Sequence, residues 1–191
     1  CRCLVGAGGT GCPVYSQLFE AASPRDPGRF IAAMEDEIPY HAPSPECRLW
    51  FFENGLPGYA WYVPKTGGHL NIGIGGVMTR MKARGMNIRK HWDLFIGKLN
   101  EMSLLSGVEL HPRGHNYYIG GGTERFSSEG AFLVGDAAGL ATRDLGEGIG
   151  PAIESGILAA ESIISGTPLS YKKIPRYSLP SILFNGFRVG R

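Results

Sequence analysis

The stretch that most limits how this chain can fold runs from Ala131 to Ile164, AFLVGDAAGLATRDLGEGIGPAIESGILAAESII. Its apolar run Ala131–Val134 reads as a short buried strand, and it ends in Gly135-Asp136. Open α/β sheets hold their ligands at the carboxyl ends of strands. A carboxylate delivered there can accept hydrogen bonds from sugar or ribityl hydroxyls. The loop Gly146-Glu147-Gly148-Ile149-Gly150 then bares backbone N–H groups. It runs into a helix whose first residue is expected to be Pro151, which has no N–H to leave unsatisfied. The positive end of that helix suits an electron-rich carbonyl or an anion. Ala152, Gly156 and Ala160 recur every fourth residue and share a helix face, which permits close packing. The plainer account, in which Asp136 caps a turn and the glycines only allow a tight loop, explains fewer of these features.

A second glycine-rich stretch, LVGAGGTG from Leu4 to Gly11, carries Gly-x-Gly-x-x-Gly at Gly6, Gly8 and Gly11. That is the spelling of a dinucleotide-binding turn. Such a turn needs a strand before it, a helix after it and an acidic residue at the end of the next strand. Glu35, after FIAAM, stands at a plausible distance. Two features oppose the literal reading. Cys12-Pro13 interrupts where the helix should open, with Tyr15 where a small residue is wanted, and the chain beyond Glu35 becomes aromatic hairpins. A strand-to-helix turn that needs glycine flexibility is the simpler expectation.

Between these motifs the patterning is readable. A short helix is expected over Val14–Ala22, with Pro13 tolerated at its start, and the loop SPRDPG (Ser23 to Gly28) is a connection. Phe30–Tyr40 reads as extended. From Arg48 to Met78, RLWFFE, YAWYVP and HLNIGIG alternate with the turn signals NGLPG and KTGG, the signature of antiparallel hairpins. Asn87 is a candidate N-cap for an amphipathic helix over Ile88–Leu105, with Trp92, Phe95, Ile96 and Leu99 at helical spacing. Asn116–Ile119 reads as a strand that ends in the turn Gly120–Gly122.

Composition narrows the classes. Hydrophobic residues at 43% and charged residues at 19% exclude a disordered chain. A formal charge of +2 without any Lys/Arg run argues against a nucleic-acid partner. No apolar run is long enough to span a bilayer. Cys1, Cys3, Cys12 and Cys47 lack paired zinc spacing, so reduced thiols in a cytoplasmic protein are expected. His111 and His115 are four apart, but Pro112 and Gly114 oppose the helix that metal ligation would need, so they are expected as solvated loop histidines.

The segment FLVGDAAG…GEGIGPAIESGILAA resembles the second flavin-binding fingerprint of the p-hydroxybenzoate-hydroxylase-like FAD enzymes, and within that group most resembles the geranylgeranyl reductases. PGYAWYVP, with Pro57, Tyr59, Trp61 and Pro64, is similar to the Pro-x-Tyr-x-Trp-x-Phe-Pro-like stretch of their substrate domains, with Val63 in place of Phe. GGHLNIGIGG, Gly67 to Gly76, resembles the strand that follows. The resemblance implies FAD as cofactor. Asp136, following Gly135, would hold its ribityl or pyrophosphate part. Gly146, Glu147, Gly148, Ile149 and Gly150 would lie along the isoalloxazine, with backbone N–H groups near its pyrimidine carbonyl. Tyr59, Trp61 and Pro64 would line a substrate pocket, where ordinary sheet packing is the competing account of the aromatics. GAGGTGCPV takes the place of an internal Gly-Ala-Asp-Gly-type turn, with Gly8 where the family has Asp.

The implied fold is α/β: a partial, Rossmann-like FAD-binding domain interrupted by an antiparallel β-sheet substrate domain. Residues 1–27 and 123–166 are expected in the former, 28–122 in the latter, and 167–191 as a C-terminal segment. The family's first strand–GxGxxG–helix has no counterpart here, so the chain is expected to be a carboxyl-terminal portion. The implied activity is reduction of carbon–carbon double bonds in a small isoprenoid-like or lipid-like substrate, with hydride from N5 of reduced flavin. No catalytic residue or proton donor is assigned. An aromatic monooxygenase or halogenase remains open, although Tyr59 departs from the halogenase Trp-x-Trp-x-Ile-Pro pattern. So does a cofactor-free fragment acting as a binding module. The tail Arg176–Arg191 mixes basic and apolar residues, as would either a peripheral membrane contact or a helix packed on a missing part.

Overall fold

The computed structural model describes residues 2–120 and 125–179. The expected turn at Gly121–Gly122, the residue Cys1 and the tail beyond 179 lie outside the described residues. In chain order the elements are β1 (Leu4–Gly6), α1 (Pro13–Leu18), β2 (Phe30–Pro39), β3 (Arg48–Phe51), β4 (Gly58–Lys65), β5 (His69–Val77), α2 (Met78–Ala83), α3 (Ile88–Glu101), β6 (Arg113–Tyr118), β7 (Ser127–Ser128), β8 (Ala131–Leu133) and α4 (Ile149–Ser165). They form two compact units, one of Cys1–Arg29 with Tyr117–Arg191, the other of Phe30–Asn116. Among the described residues no helix is long and apolar enough to cross a membrane.

The first unit is built on a three-stranded sheet in the order β1-β8-β7. β1 runs parallel to β8, with Leu4 opposite Ala131 and Gly6 opposite Leu133. Tyr15, Phe19, Leu133, Leu140, Tyr171 and Ile174 form most of its core. α4 starts at Ile149 with Gly148 as N-cap and stops at Gly166, whose φ of 70° is a left-handed stop. Pro151 is therefore the third helical residue rather than the first.

The buried stripe of α4 is Pro151, Ser155, Ala159 and Ser162, not the expected Ala152–Gly156–Ala160. Of that row Ala152 abuts the turn that follows β8: a Cβ on Gly135 would stand 3.1 Å from its Cβ, whereas one on Gly156 would meet nothing within 4 Å. The reason is a hydrogen bond. The buried Ser155 hydroxyl accepts from Gly135 N (2.9 Å) and donates to Ala152 O (3.0 Å), which fixes the rotation of the helix.

The second unit is an antiparallel sheet in the order β3-β4-β5-β2-β6. α3 covers one face. Trp92, Phe95 and Leu99 cluster with Ala60, Tyr62, Leu70, Ile72 and Ile74. Four of these sheet residues, Tyr62, Leu70, Ile72 and Ile74, are 0% exposed, and full burial of such side chains is worth about 1.5–3 kcal/mol each. The Asn87 side chain accepts from Lys90 N at 3.0 Å, which is the N-cap its sequence position suggests.

The helix ends at Glu101, short of the expected Leu105. Ser103 turns the chain at a φ of 56°, so that Leu104 and Leu105 fold back into the core. The structure also adds α2, where the sequence reading has no element. Apart from Thr79, Met78–Ala83 is composed of good helix formers, and Gly85 follows with a φ of 65°. His115 lies on β6 rather than in a loop, 4.0 Å from Glu35 on β2.

Candidate functional site

In the first unit the turn after β1 distributes its glycines by need. A Cβ on Gly6 would stand 2.8 Å from the Leu133 side chain and 2.9 Å from Val14 Cβ, so only glycine lets β1 lie this close to β8 and α1. Gly9 holds a φ of 67°, while a Cβ on Gly11 would meet nothing within 4 Å. In a dinucleotide turn the third glycine packs helix against strand. Here the first glycine packs, α1 is only six residues long, and the buried Tyr15 occupies it.

Arg25 ties this turn to the one that follows β8. Its guanidinium donates to Thr10 O (2.7 Å) and to Ala137 O (2.6 Å) and lies 3.6 Å over the Tyr15 ring. Burial lowers its pKa, opposed by the nearby Tyr15 and Tyr118. Sequence reasoning passed over Arg25 as part of a connecting loop. No local signal marks it, because both acceptors are backbone carbonyls and Ala137 is 112 positions away.

Asp136 sits in the single turn Gly135–Ala137 directly after β8, half-buried. The glycine-rich loop returns to it: a Cβ on Gly148 would stand 3.3 Å from Asp136 Oδ1. Gly148, in the following loop, is thus adjacent in space to Asp136. The loop is held by Thr142. Its hydroxyl accepts from Glu147 N (3.0 Å), its N–H donates to Glu147 O (2.9 Å) and its carbonyl accepts from Gly146 N (3.1 Å). The Glu147 carboxylate accepts from Gly150 N at 2.7 Å, placing a negative charge at the positive end of α4.

Three of the loop amides are therefore engaged within the loop. Among the described residues the amides of Gly148 and Ile149 find no acceptor. Gly146, with a φ of 64°, is required for a different reason: a Cβ there would lie 2.3 Å from Tyr117 Oη. Burial pushes the Asp144 carboxyl up, but donors from the backbone of Ser178 (2.8 Å), Leu179 (2.7 Å) and Leu145 (2.9 Å) outweigh it and hold its pKa below the ordinary value.

In the second unit, the sheet face opposite α3 carries a row of aromatics. Phe51, Tyr59 and Trp61 follow one another with ring centroids 5.4 and 5.6 Å apart. Trp61 Nε1 donates to Asn71 Oδ1 at 2.7 Å, and the indole packs on Gly73, where a Cβ would be 2.1 Å from a ring carbon. Tyr59 and Trp61 thus share a face, as strand alternation requires. Pro64 does not join them. It lies opposite the fully buried Leu70, on the core face.

No protein-family model matches the chain. The chain is 30% identical over 136 residues to the menaquinone reductase of Mycolicibacterium smegmatis, a match that covers 71% of this chain and 33% of that protein. It is 29% identical over 157 residues to digeranylgeranylglycerophospholipid reductase 3 of Methanosphaera stadtmanae, covering 78% of this chain and 38% of that one. Among solved structures, a geranylgeranyl bacteriochlorophyll reductase-like protein from Thermoplasma acidophilum superposes with a TM-score of 0.70 at 22% identity, over 97% of this chain and 45% of that one.

The fold is therefore a mixed α/β arrangement with an antiparallel sheet, shared with part of that Thermoplasma acidophilum protein. In sequence the chain is similar to menaquinone and digeranylgeranylglycerophospholipid reductases, and it spans about a third of the length of these curated relatives.

Proposed function

We propose that this chain is part of an FAD-dependent oxidoreductase that reduces carbon–carbon double bonds of an isoprenoid-like substrate. The observation that carries the reading is the adjacency of Asp136 to Gly148 at the mouth of α4, where any side chain on Gly148 would crowd the carboxylate. This donor and acceptor set fits the flavin moiety. Asp136 would accept from hydroxyls of the ribityl chain, and the amides of Gly148 and Ile149, at the positive end of α4, would favour an electron-rich carbonyl. Gly146, Glu147 and Gly150 act on the loop itself, through Thr142, Tyr117 and the capped helix end. When bound, reduced flavin supplies the hydride, a chemistry no protein side chain provides.

Tyr59 and Trp61 offer a flat apolar wall suited to a hydrocarbon chain. Gly73 lets the indole lie against the sheet, and Asn71 fixes its rotation. The relatives' names, menaquinone reductase and digeranylgeranylglycerophospholipid reductase, support a substrate of this class.

Two measurements test the reading. Titration with FAD, followed by flavin fluorescence, should give saturable binding that weakens about tenfold or more in Asp136→Ala, the loss expected for a charge-assisted hydrogen bond. Mass spectrometry of a prenylated quinone or lipid incubated with protein, FAD and a reductant should show addition of two hydrogens per double bond. Unchanged FAD affinity in Asp136→Ala would remove that residue from the site.

A further inference from the structure

Within the first unit a cleft of about 480 Å³ opens beside Gly120, bounded by the segment from Leu169 to Arg176. The size is that of an ordinary small-molecule site. None of Gly135, Asp136 or the loop Gly146–Gly150 lines it. Its chemistry is two-sided. Phe126, Leu140, Tyr171 and Ile174 form an apolar floor, and Arg29, Arg143, Lys172 and Arg176 supply four cations, with no carboxylate in the lining. The floor is tied to β8: the Phe126 and Tyr171 rings are 4.7 Å apart, and the Tyr171 hydroxyl donates to Leu133 O.

Three of the four cations, Arg143, Lys172 and Arg176, have no anionic partner among the described residues. The guanidiniums of Arg29 and Arg143 both donate to a single neutral acceptor, Gly120 O, at 2.8 and 3.2 Å. Two like charges converge there, and among the described residues Arg29 alone of the two has a carboxylate near, Asp26 at 3.4 Å. Arg143 Nε is buried and finds no hydrogen-bond partner among the described residues. Asp144, next in the chain, turns its oxygens to the amides of Ser178 and Leu179. Among the described residues no carboxylate lies within ion-pair distance of Arg143, Lys172 or Arg176. Bringing two guanidiniums together over one carbonyl costs energy that an oxyanion would recover, because charge-assisted bonds to arginine are among the strongest available.

We propose that this cleft binds an amphiphile with a phosphate head and a hydrocarbon tail, the head held by Arg29, Arg143, Lys172 and Arg176 and the tail on the apolar floor. Neither half suffices alone. A free phosphate leaves the floor wet, and an alcohol of the same chain leaves the Arg143 guanidinium without an anion.

The test is calorimetric titration of the protein with decyl phosphate, decanol and inorganic phosphate. Decyl phosphate should bind at least about tenfold more tightly than either of the others. Lys172→Gln with Arg176→Gln alters two exposed side chains, so it should leave the melting temperature unchanged while weakening decyl phosphate about tenfold. Decanol binding should not respond to that pair. Arg143→Gln should weaken decyl phosphate further, and raised salt should weaken it in the parent protein. The proposal is overturned if decanol or inorganic phosphate binds as tightly as decyl phosphate. It also fails if nothing binds, if the double variant binds unchanged, or if FAD displaces decyl phosphate competitively, which would assign the cleft to the cofactor.

Discussion

Replacing Arg25 with methionine keeps the length and apolar character of the side chain and removes only its charged fork. Two bonds disappear, to Thr10 O at 2.7 Å and Ala137 O at 2.6 Å. Hydrogen bonds to a charged group are each worth about 1.5–3 kcal/mol, and the stacking over Tyr15 adds about 0.5–1 kcal/mol. Arg25 is only half-buried, so water re-solvates part of what is exposed by its removal. A net destabilisation of about 3 kcal/mol is the expected result. For a chain of this size each kcal/mol lowers the melting temperature by about 2–4 °C, so the variant should melt about 6–12 °C below the parent.

Thermal melts followed by far-ultraviolet circular dichroism measure this. Arg25→Lys is the control. Its ammonium is a point charge that cannot fork to two carbonyls on separate turns, so it should recover less than half of the loss. A shift of less than about 2 °C in Arg25→Met, or full rescue by lysine, would show that the two turns hold together without the fork.

Gly73→Ala places a methyl where the Trp61 ring lies, so the indole must lift and its bond to Asn71 must break. The expected cost is about 1–3 kcal/mol with a red-shifted tryptophan emission that is absent when Trp61 is already phenylalanine; an unshifted spectrum would contradict the packing. His91 is buried on α3, and desolvation, helped by the charge of Arg84, lowers its pKa below the ordinary 6.5. The unfolded chain therefore binds the proton first. Stability is complete above pH 6.5, falls as pH drops below that value toward the folded pKa, and then levels off. Urea denaturation between neutral and mildly acidic pH should show this slope, and His91→Gln should flatten it; an equal slope in the variant would place the titration elsewhere.

Much of the architecture is legible in local pattern. The spacing of Trp92, Phe95 and Leu99 and the cap at Asn87 specify α3 and the face it buries, because both depend on residues within a turn or two of one another. Strand alternation puts Tyr59 and Trp61 on one face, and the same rule, applied to Pro64, sends it to the other. The start of α4 was less legible. Pro151 suits a first turn at more than one position, and its placement two residues further in followed from Gly148 serving as the cap.

What the chain's own order of residues determined is the set of elements and the chemistry available at their ends: a strand that stops at Gly135-Asp136, a glycine-rich loop, a small-residue helix and an aromatic hairpin. Periodicity, capping and turn preference are local, so they survive in one dimension. The tertiary structure decided which of these groups meet. It set Gly148 against Asp136, turned α4 through the Ser155 hydroxyl, gave Arg25 its two carbonyls and drew Arg29 and Arg143 onto Gly120. Every residue carries a carbonyl and every glycine lacks a Cβ, so nothing in the sequence distinguishes the ones that matter. Only the approach of a distant segment, measured in ångströms, makes that distinction.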